Sequence, residues 1–224
     1  MRKALAWTWG ASGKHPVVKD YIRIGPANPC LDEMTGWIEG GYPLSAGGKA
    51  LHSWRFFIRG PRPGELGCGL VRDSLDGAGR PFPLLIMGSG MPERWEDRWE
   101  FLPQDLDDCW ERMEHIGVRK ASGLAELKES IMRLPVPSLS GNEQGGGISR
   151  TVTPPPWQEG MLAAALQEHA DHTVQIVDLL GSIKAGYKGP PDAVFMGGTV
   201  SRAFLVVFRR GLKAEDFGTL WTME

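Results

Sequence analysis

Short apolar runs separated by glycine- and proline-rich turns fill much of the first half of the chain. Three such runs lie at residues 54–59, 66–74 and 82–87. Runs bounded in this way are typical of consecutive antiparallel strands, and we therefore predict a β-meander. Before them, the sequence predicts a strand at 5–9, a glycine loop at 10–16 and an extended piece at 20–24.

Helical periodicity marks three other parts of the chain. The first has apolar residues three or four positions apart, which places them on one helical face: Leu31, Met34, Trp37 and Ile38. The same periodicity between residues 95 and 134 predicts two or three further helices. A stripe running from Leu162 through His169 to Leu180 predicts the longest helix of the chain.

The predicted elements end with strands at 193–196 and 203–209 and a short helix at 214–220. Strands and helices do not alternate strictly, so the order indicates an α+β fold rather than a doubly wound parallel sheet. We expect a single domain over residues 1–224. Within it, residues 135–157 are rich in glycine and proline and lack apolar periodicity, which predicts a mobile loop.

Composition and charge exclude several classes of protein. The 224 residues are 42% hydrophobic and 23% charged, a balance that excludes wholesale disorder. The formal net charge of −2 supplies no positive field for phosphates, so no nucleic-acid partner is expected. No apolar run reaches the roughly 18 residues that a spanning helix needs, and we expect no membrane insertion. Three widely spaced cysteines, Cys30, Cys68 and Cys109, favour the reducing cytoplasm.

One loop invites an enzymatic interpretation. Gly13 and Lys14 follow a predicted strand, as in a phosphate-binding loop, and His15 and Asp20 lie close by in sequence. A small hydrolase or nucleotide-binding enzyme built on Lys14, His15 and Asp20 is therefore one hypothesis. Against it, the residue after the lysine is not Ser or Thr, and Pro16 removes a backbone donor where a phosphate loop needs one.

The remaining candidates favour structural roles. His169 and His172 are three residues apart, but no further ligands lie near them in sequence, so we predict no metal site and no cofactor. Asp76 precedes Gly77, a pair typical of turns. The tryptophans at 95, 99 and 110 are interpreted as core residues or as a protein-binding face, since the chain lacks the positive charge of a base-stacking platform.

Three segments in order resemble the TagF family of bacterial type VI secretion-associated proteins. The first runs from Gly13-Lys14-His15-Pro16 to Asp20-Tyr21-Ile22, with Arg23 after it; the second is Trp54-Arg55-Phe56; the third is Ser74-Leu75-Asp76-Gly77-Ala78-Gly79-Arg80-Pro81-Phe82-Pro83-Leu84. The resemblance covers residues 7–87 and is looser towards the C-terminus. There the aromatic pair of the family is replaced by Phe195-Met196, and Lys19 stands where the family commonly has glycine.

The resemblance implies a fold and a function. It implies a central, mainly antiparallel sheet flanked by helices, similar to longin or profilin modules in an α/β/α sandwich. It also implies a non-enzymatic cytoplasmic accessory protein that represses type VI secretion after translation by binding secretion components, in some systems alongside a forkhead-associated scaffold protein. A structural subunit of the secretion apparatus is the alternative within the same system.

The motif residues themselves suit architecture or binding. Gly79 suits a turn with positive φ, and Arg80 is placed to pair with Asp76 across it. Lys14, Asp20 and Arg23 form either a structural cluster at the sheet edge or the charged rim of a partner surface. We therefore take Lys14, Asp20, Arg23, Asp76 and Arg80 as the candidate binding residues. The sequence leaves the oligomeric state open.

Overall fold

In its computed structural model, the protein is built on one eight-stranded antiparallel sheet. The structure describes residues 7–45, 50–119, 121–139, 152–167 and 171–224. The strands are β1 (Thr8–Lys14), β2 (Tyr21–Ile24), β3 (Ser53–Arg59), β4 (Leu66–Arg72), β5 (Leu84–Gly90), β6 (Met161–Ala165), β7 (Ala193–Gly198) and β8 (Ala203–Phe208). Their order across the sheet is β2-β1-β5-β4-β3-β7-β8-β6.

Helices pack on both faces of this sheet. They are α1 (Pro29–Gly41), α2 (Leu102–Asp105), α3 (Asp107–Val118), α4 (Leu124–Met132), α5 (His172–Gly186) and α6 (Ala214–Leu220). Helices α1 and α6 share one buried cluster with the residues on one face of the sheet, such as Trp54 and Phe56. Helices α2 to α5 share the other cluster, which includes Phe57 on the opposite face of the same strand. The predicted α+β fold with a helix-flanked antiparallel sheet is thus confirmed.

The meander and several helices form where the sequence predicts them. β3, β4 and β5 are consecutive antiparallel neighbours, as predicted. The helix expected around Leu31 is α1, which begins after Asn28, whose side chain accepts hydrogen bonds from the N–H groups of Cys30 and Leu31. The two closing strands and the terminal helix also lie in the predicted places.

The predicted glycine loop at 10–16 is wrong, because most of it belongs to β1. The strand runs through Gly10 and Gly13 between β2 and β5. Gly13 has φ +111°, and a Cβ built there would lie 2.0 Å from the carbonyl oxygen of Pro83. These glycines therefore serve a close approach of backbones within the sheet, which their spacing in sequence does not distinguish from a loop.

The long helix predicted over 162–180 is wrong in its first half. Residues Met161–Ala165 form β6, which pairs with β8, and α5 begins only at His172, after the N-cap Asp171. Leu162 and Leu166 are four residues apart, a spacing that fits both a helical period and the two-residue period of a strand. His169 lies outside the described residues.

Two further expectations meet the structure only in part. Of the predicted mobile loop at 135–157, residues 135–139 and 152–157 contain no helix or strand and the rest lie outside the described residues. Trp95, Trp99 and Trp110 are each at most 1% exposed. They are core residues, and the alternative of a protein-binding face for these side chains is wrong.

Candidate functional site

A tight turn after β4 is organised around the carboxylate of Asp76. Oδ1 of Asp76 accepts hydrogen bonds from the backbone N–H groups of Ala78 and Arg80 at 2.9 and 3.0 Å. Gly79 occupies the position with positive φ, +79°, as the sequence predicts. Oδ2 accepts from Nε of Arg80 at 2.7 Å, so the predicted pair across the turn is confirmed.

This turn is joined to the segment that follows β1. Nζ of Lys14 lies 3.2 Å from Oδ2 of Asp76. Arg80 also donates to the carbonyl oxygen of Lys19, and the N–H of Gly77 donates to that of Val18. Two of the segments that resemble TagF, distant in sequence, therefore form one continuous surface feature, which we call the 14–80 cluster: Lys14, Val18, Lys19 and residues 76–80.

Asp76 is held in its charged form. Its side chain is buried, and burial alone would raise its pKa. The backbone donors of Arg80 and Ala78 and the cations of Lys14 and Arg80 outweigh burial and hold the pKa well below the ordinary range. The folded turn thus depends on a charged carboxylate.

The other two predicted residues lie outside this cluster. Arg23, on the edge strand β2, pairs with Asp32 of α1 and donates from Nη1 to Oγ1 of Thr35 at 3.1 Å. Asp20 is exposed and accepts a hydrogen bond from the N–H of Tyr21 at 2.7 Å. The structure therefore brings three of the five predicted residues together and places Asp20 and Arg23 at the neighbouring sheet edge.

The residues of the enzymatic hypothesis do not converge. Lys14 is directed to Asp76, and Asp20 is on the surface. His15 is 2% exposed, its Nδ1 accepts a hydrogen bond from the N–H of Val17 at 3.2 Å, and burial lowers its pKa. Each group is engaged separately, so the contacts give no support for shared phosphate chemistry.

A half-open cavity of about 510 Å³ lies beside the 14–80 cluster, where β3 begins and β4 ends. His52 and Asp73 face each other there, because Ser53 of β3 pairs with Arg72 of β4. Oδ2 of Asp73 accepts from the N–H of His52 at 2.8 Å and lies 3.5 Å from its Nδ1. Oδ1 accepts from Nε1 of Trp221 at 2.8 Å.

These contacts fix the charge of Asp73. Burial works to raise its pKa, but hydrogen bonds from His52 and Trp221 outweigh burial and lower the pKa. Neither Asp73 nor His52 is among the site residues that the sequence predicts. His52 lies two residues before one predicted strand of the meander and Asp73 lies near the end of the next, but the register of the two strands is needed to place them together.

The described residues contain neither a metal-binding cluster nor a membrane-spanning helix. No group of three or more His, Cys, Asp or Glu side chains within these residues could hold a metal ion. Within the same parts of the chain, no helix is both long and apolar enough to cross a membrane.

Comparison with known proteins gives a structural likeness. No protein-family model matches the chain, and no curated protein matches it in sequence. The crystal structure of PA0076 from Pseudomonas aeruginosa PAO1 is similar, with a TM-score of 0.60 over 96% of this chain and 94% of that one. The sequence identity is 20%, so the likeness establishes a related fold and no more.

Proposed function

We propose that this protein is a cytoplasmic, non-enzymatic accessory protein of bacterial type VI secretion, similar to the TagF family, and that it represses secretion by binding secretion components. The observation that carries the proposal is the 14–80 cluster. In it, segments that resemble TagF at Lys14 and at Asp76–Arg80 contact each other through charged and backbone groups.

The Trp54-Arg55-Phe56 motif has a structural role and offers no group for catalysis. Trp54 and Phe56 are fully buried in the core. Arg55 between them donates from Nε to Glu114 at 2.7 Å and from Nη1 to Asp107 at 2.6 Å, both on α3. These side chains hold a strand and a helix together and leave no reactive group free, so the motif is architectural.

The partner surface we propose consists of the exposed side of the 14–80 cluster and the neighbouring sheet edge. The Arg80 side chain is 60% exposed and that of Arg23 is 38% exposed, and Asp20 is also on the surface. Charged side chains fixed by their neighbours lose little freedom on binding, which suits the polar rim of an interface. Type VI secretion components are the proposed partners, with a forkhead-associated scaffold protein as one candidate.

A deletion test in the native cells addresses this function directly. Removing the protein should raise the amount of type VI substrate in the medium, and the wild-type chain should restore repression. The Arg23→Glu variant should restore it less well at equal protein level, whereas Arg94→Glu, whose side chain is 84% exposed and outside the proposed surface, should act as wild type. Unchanged secretion on deletion would refute the proposed function.

A further inference from the structure

The cavity where β3 begins and β4 ends has an apolar entrance. Leu51 and Leu75 line it and are 68% and 48% exposed, respectively. Pro16 and Pro81 add further apolar surface to the lining. Apolar side chains exposed around a concave site are typical of places that bind an apolar group.

The polar part of the lining includes Arg72, whose positive charge has no ion-pair partner among the described residues. Among the described residues that line the cavity, Arg72 is the one Lys or Arg and Asp73 the one acidic residue. Asp73 is engaged by His52 and Trp221. Over the described residues, no carboxylate lies within ion-pair distance of the Arg72 guanidinium. The positive charge of Arg72 is thus available to a ligand.

Gly117 leaves room for the Arg72 side chain at the cavity wall. The Arg72 side chain lies against Gly117 of α3, where an added Cβ would be 3.0 Å from Cδ and 3.4 Å from Nη1 of the arginine. A larger residue at 117 would crowd the guanidinium. Glycine at this position therefore leaves the arginine its place along the cavity wall.

His52 closes part of the cavity wall without offering a polar atom to it. Its side chain is only 1% exposed and both ring nitrogens are buried, so the imidazole lies out of reach of a ligand in the cavity. Asp73 is engaged by its own neighbours, and among the described lining residues the guanidinium of Arg72 is therefore the charged group that a ligand meets.

We propose that this cavity binds a carboxylate carried on an apolar group, with Arg72 pairing with the carboxylate and the apolar group lying against Leu51 and Leu75 at the entrance. Such chemistry belongs both to free organic acids and to the C-terminal residue of a protein chain. The volume of about 510 Å³ accepts either. This inference does not rest on the proposed role in secretion, since it concerns the purified chain alone.

The test uses the full-length protein and three probes. Binding of N-acetyl-leucine, N-acetyl-leucinamide and hexanoate is followed by calorimetry and by the NMR signal of the Trp221 indole N–H, which lies at the cavity. N-acetyl-leucine should bind at least about tenfold more tightly than its amide, because only the acid pairs with arginine. Hexanoate binding as tightly as N-acetyl-leucine would point to free organic acids, and tighter binding of N-acetyl-leucine would point to a chain terminus.

Variants locate the site. Arg72→Met should weaken binding of N-acetyl-leucine about tenfold or more and bring its affinity close to that of the amide. Arg94→Met, an exposed arginine that does not line the cavity, should leave binding unchanged. Equal binding of the acid and the amide, an unchanged affinity in Arg72→Met, or no binding of any probe at millimolar concentration would overturn the proposal.

Discussion

Lys14 at the end of β1 and Asp76 in the turn after β4 form an ion pair, with 3.2 Å between Nζ and Oδ2. The lysine side chain is 17% exposed and the aspartate side chain is fully buried. The phosphate-loop hypothesis gave Lys14 a role in binding a ligand. The contact shows instead that Lys14 stabilises the turn around Asp76. Lys14 and Arg23, which the sequence places in one candidate cluster, have different partners, because Arg23 pairs with Asp32.

Charge reversal should separate these two cations experimentally. Lys14→Glu places a like charge beside the buried Asp76 and should lower the melting temperature clearly. Arg23→Glu removes the contacts with Asp32 and Thr35 and places a like charge beside Asp32, but both charged side chains are exposed and screened by solvent, so the free energy of unfolding should change by no more than about 1 kcal/mol. The sequence leaves both a structural and a partner-binding role open for these residues, and the contact of Lys14 with the buried Asp76 favours a structural role for Lys14. Equal destabilisation of the two variants, measured by urea unfolding, would contradict the assignment.

Alanine substitution at Gly13 and at Gly79, which both have positive φ, tests whether Gly13 lies in strand β1. At Gly79 nothing lies within 4 Å of an added Cβ, so Gly79→Ala should cost about 1–2 kcal/mol of backbone strain. At Gly13 the added Cβ would lie 2.0 Å from the carbonyl oxygen of Pro83, so Gly13→Ala must also disturb the pairing of β1 and β5. Gly13→Ala should therefore be clearly the less stable variant. A free loop at Gly13 would instead give similar unfolding free energies for the two.

Acid should weaken the fold through Asp76 and Asp73. Both have a pKa in the folded protein below the ordinary value. Their contribution is therefore fully present above about pH 4, where the unfolded carboxylates are charged, and is lost as the pH falls through the folded pKa values. Urea unfolding at several pH values from 7 to 3 should show stability falling below about pH 4. The fall should be shallower in Asp76→Asn, and parallel curves for this variant and wild type would argue against a charged Asp76 as a support of the turn.

A panel of nucleotides, inorganic phosphate and divalent cations tests the enzymatic hypothesis. Lys14, His15 and Asp20 are engaged separately, so we expect no rise in melting temperature with any member of the panel. A ligand at a hundredfold its Kd would add about 2.7 kcal/mol to the stability, which a thermal-shift assay resolves. A rise with a nucleotide that is lost in Lys14→Met would revive that hypothesis.

The sequence predicted the fold best where the apolar residues follow either the helical period or the strand period but not both. The apolar face around Leu31 fits only a helix, and the meander runs fit only strands. Leu162 and Leu166 satisfied both periods, and pairing with β8 decided for a strand. The prediction for Gly13 was wrong because its close neighbour Pro83, directly before β5, is distant in sequence.

The site was predictable to the extent that its contacts are local. The pair of Asp76 and Arg80, four residues apart in one turn, could be predicted from turn chemistry. The pairing of His52 with Asp73 depends on the register of β3 and β4, and the contact of Asp73 with Trp221 depends on the placement of the C-terminal helix. Neither contact can be predicted from the spacing of these residues in the sequence.

The central claim is that the surface around Lys14, Arg23 and Arg80 binds type VI secretion components. Its most direct measurement is affinity capture of the tagged protein from its native cells at two salt concentrations, with the captured proteins identified by mass spectrometry. The account predicts that wild type and Arg94→Glu recover secretion components and that Arg23→Glu recovers fewer, with an unchanged melting curve. Recovery of no secretion component by wild type at either salt concentration would contradict it.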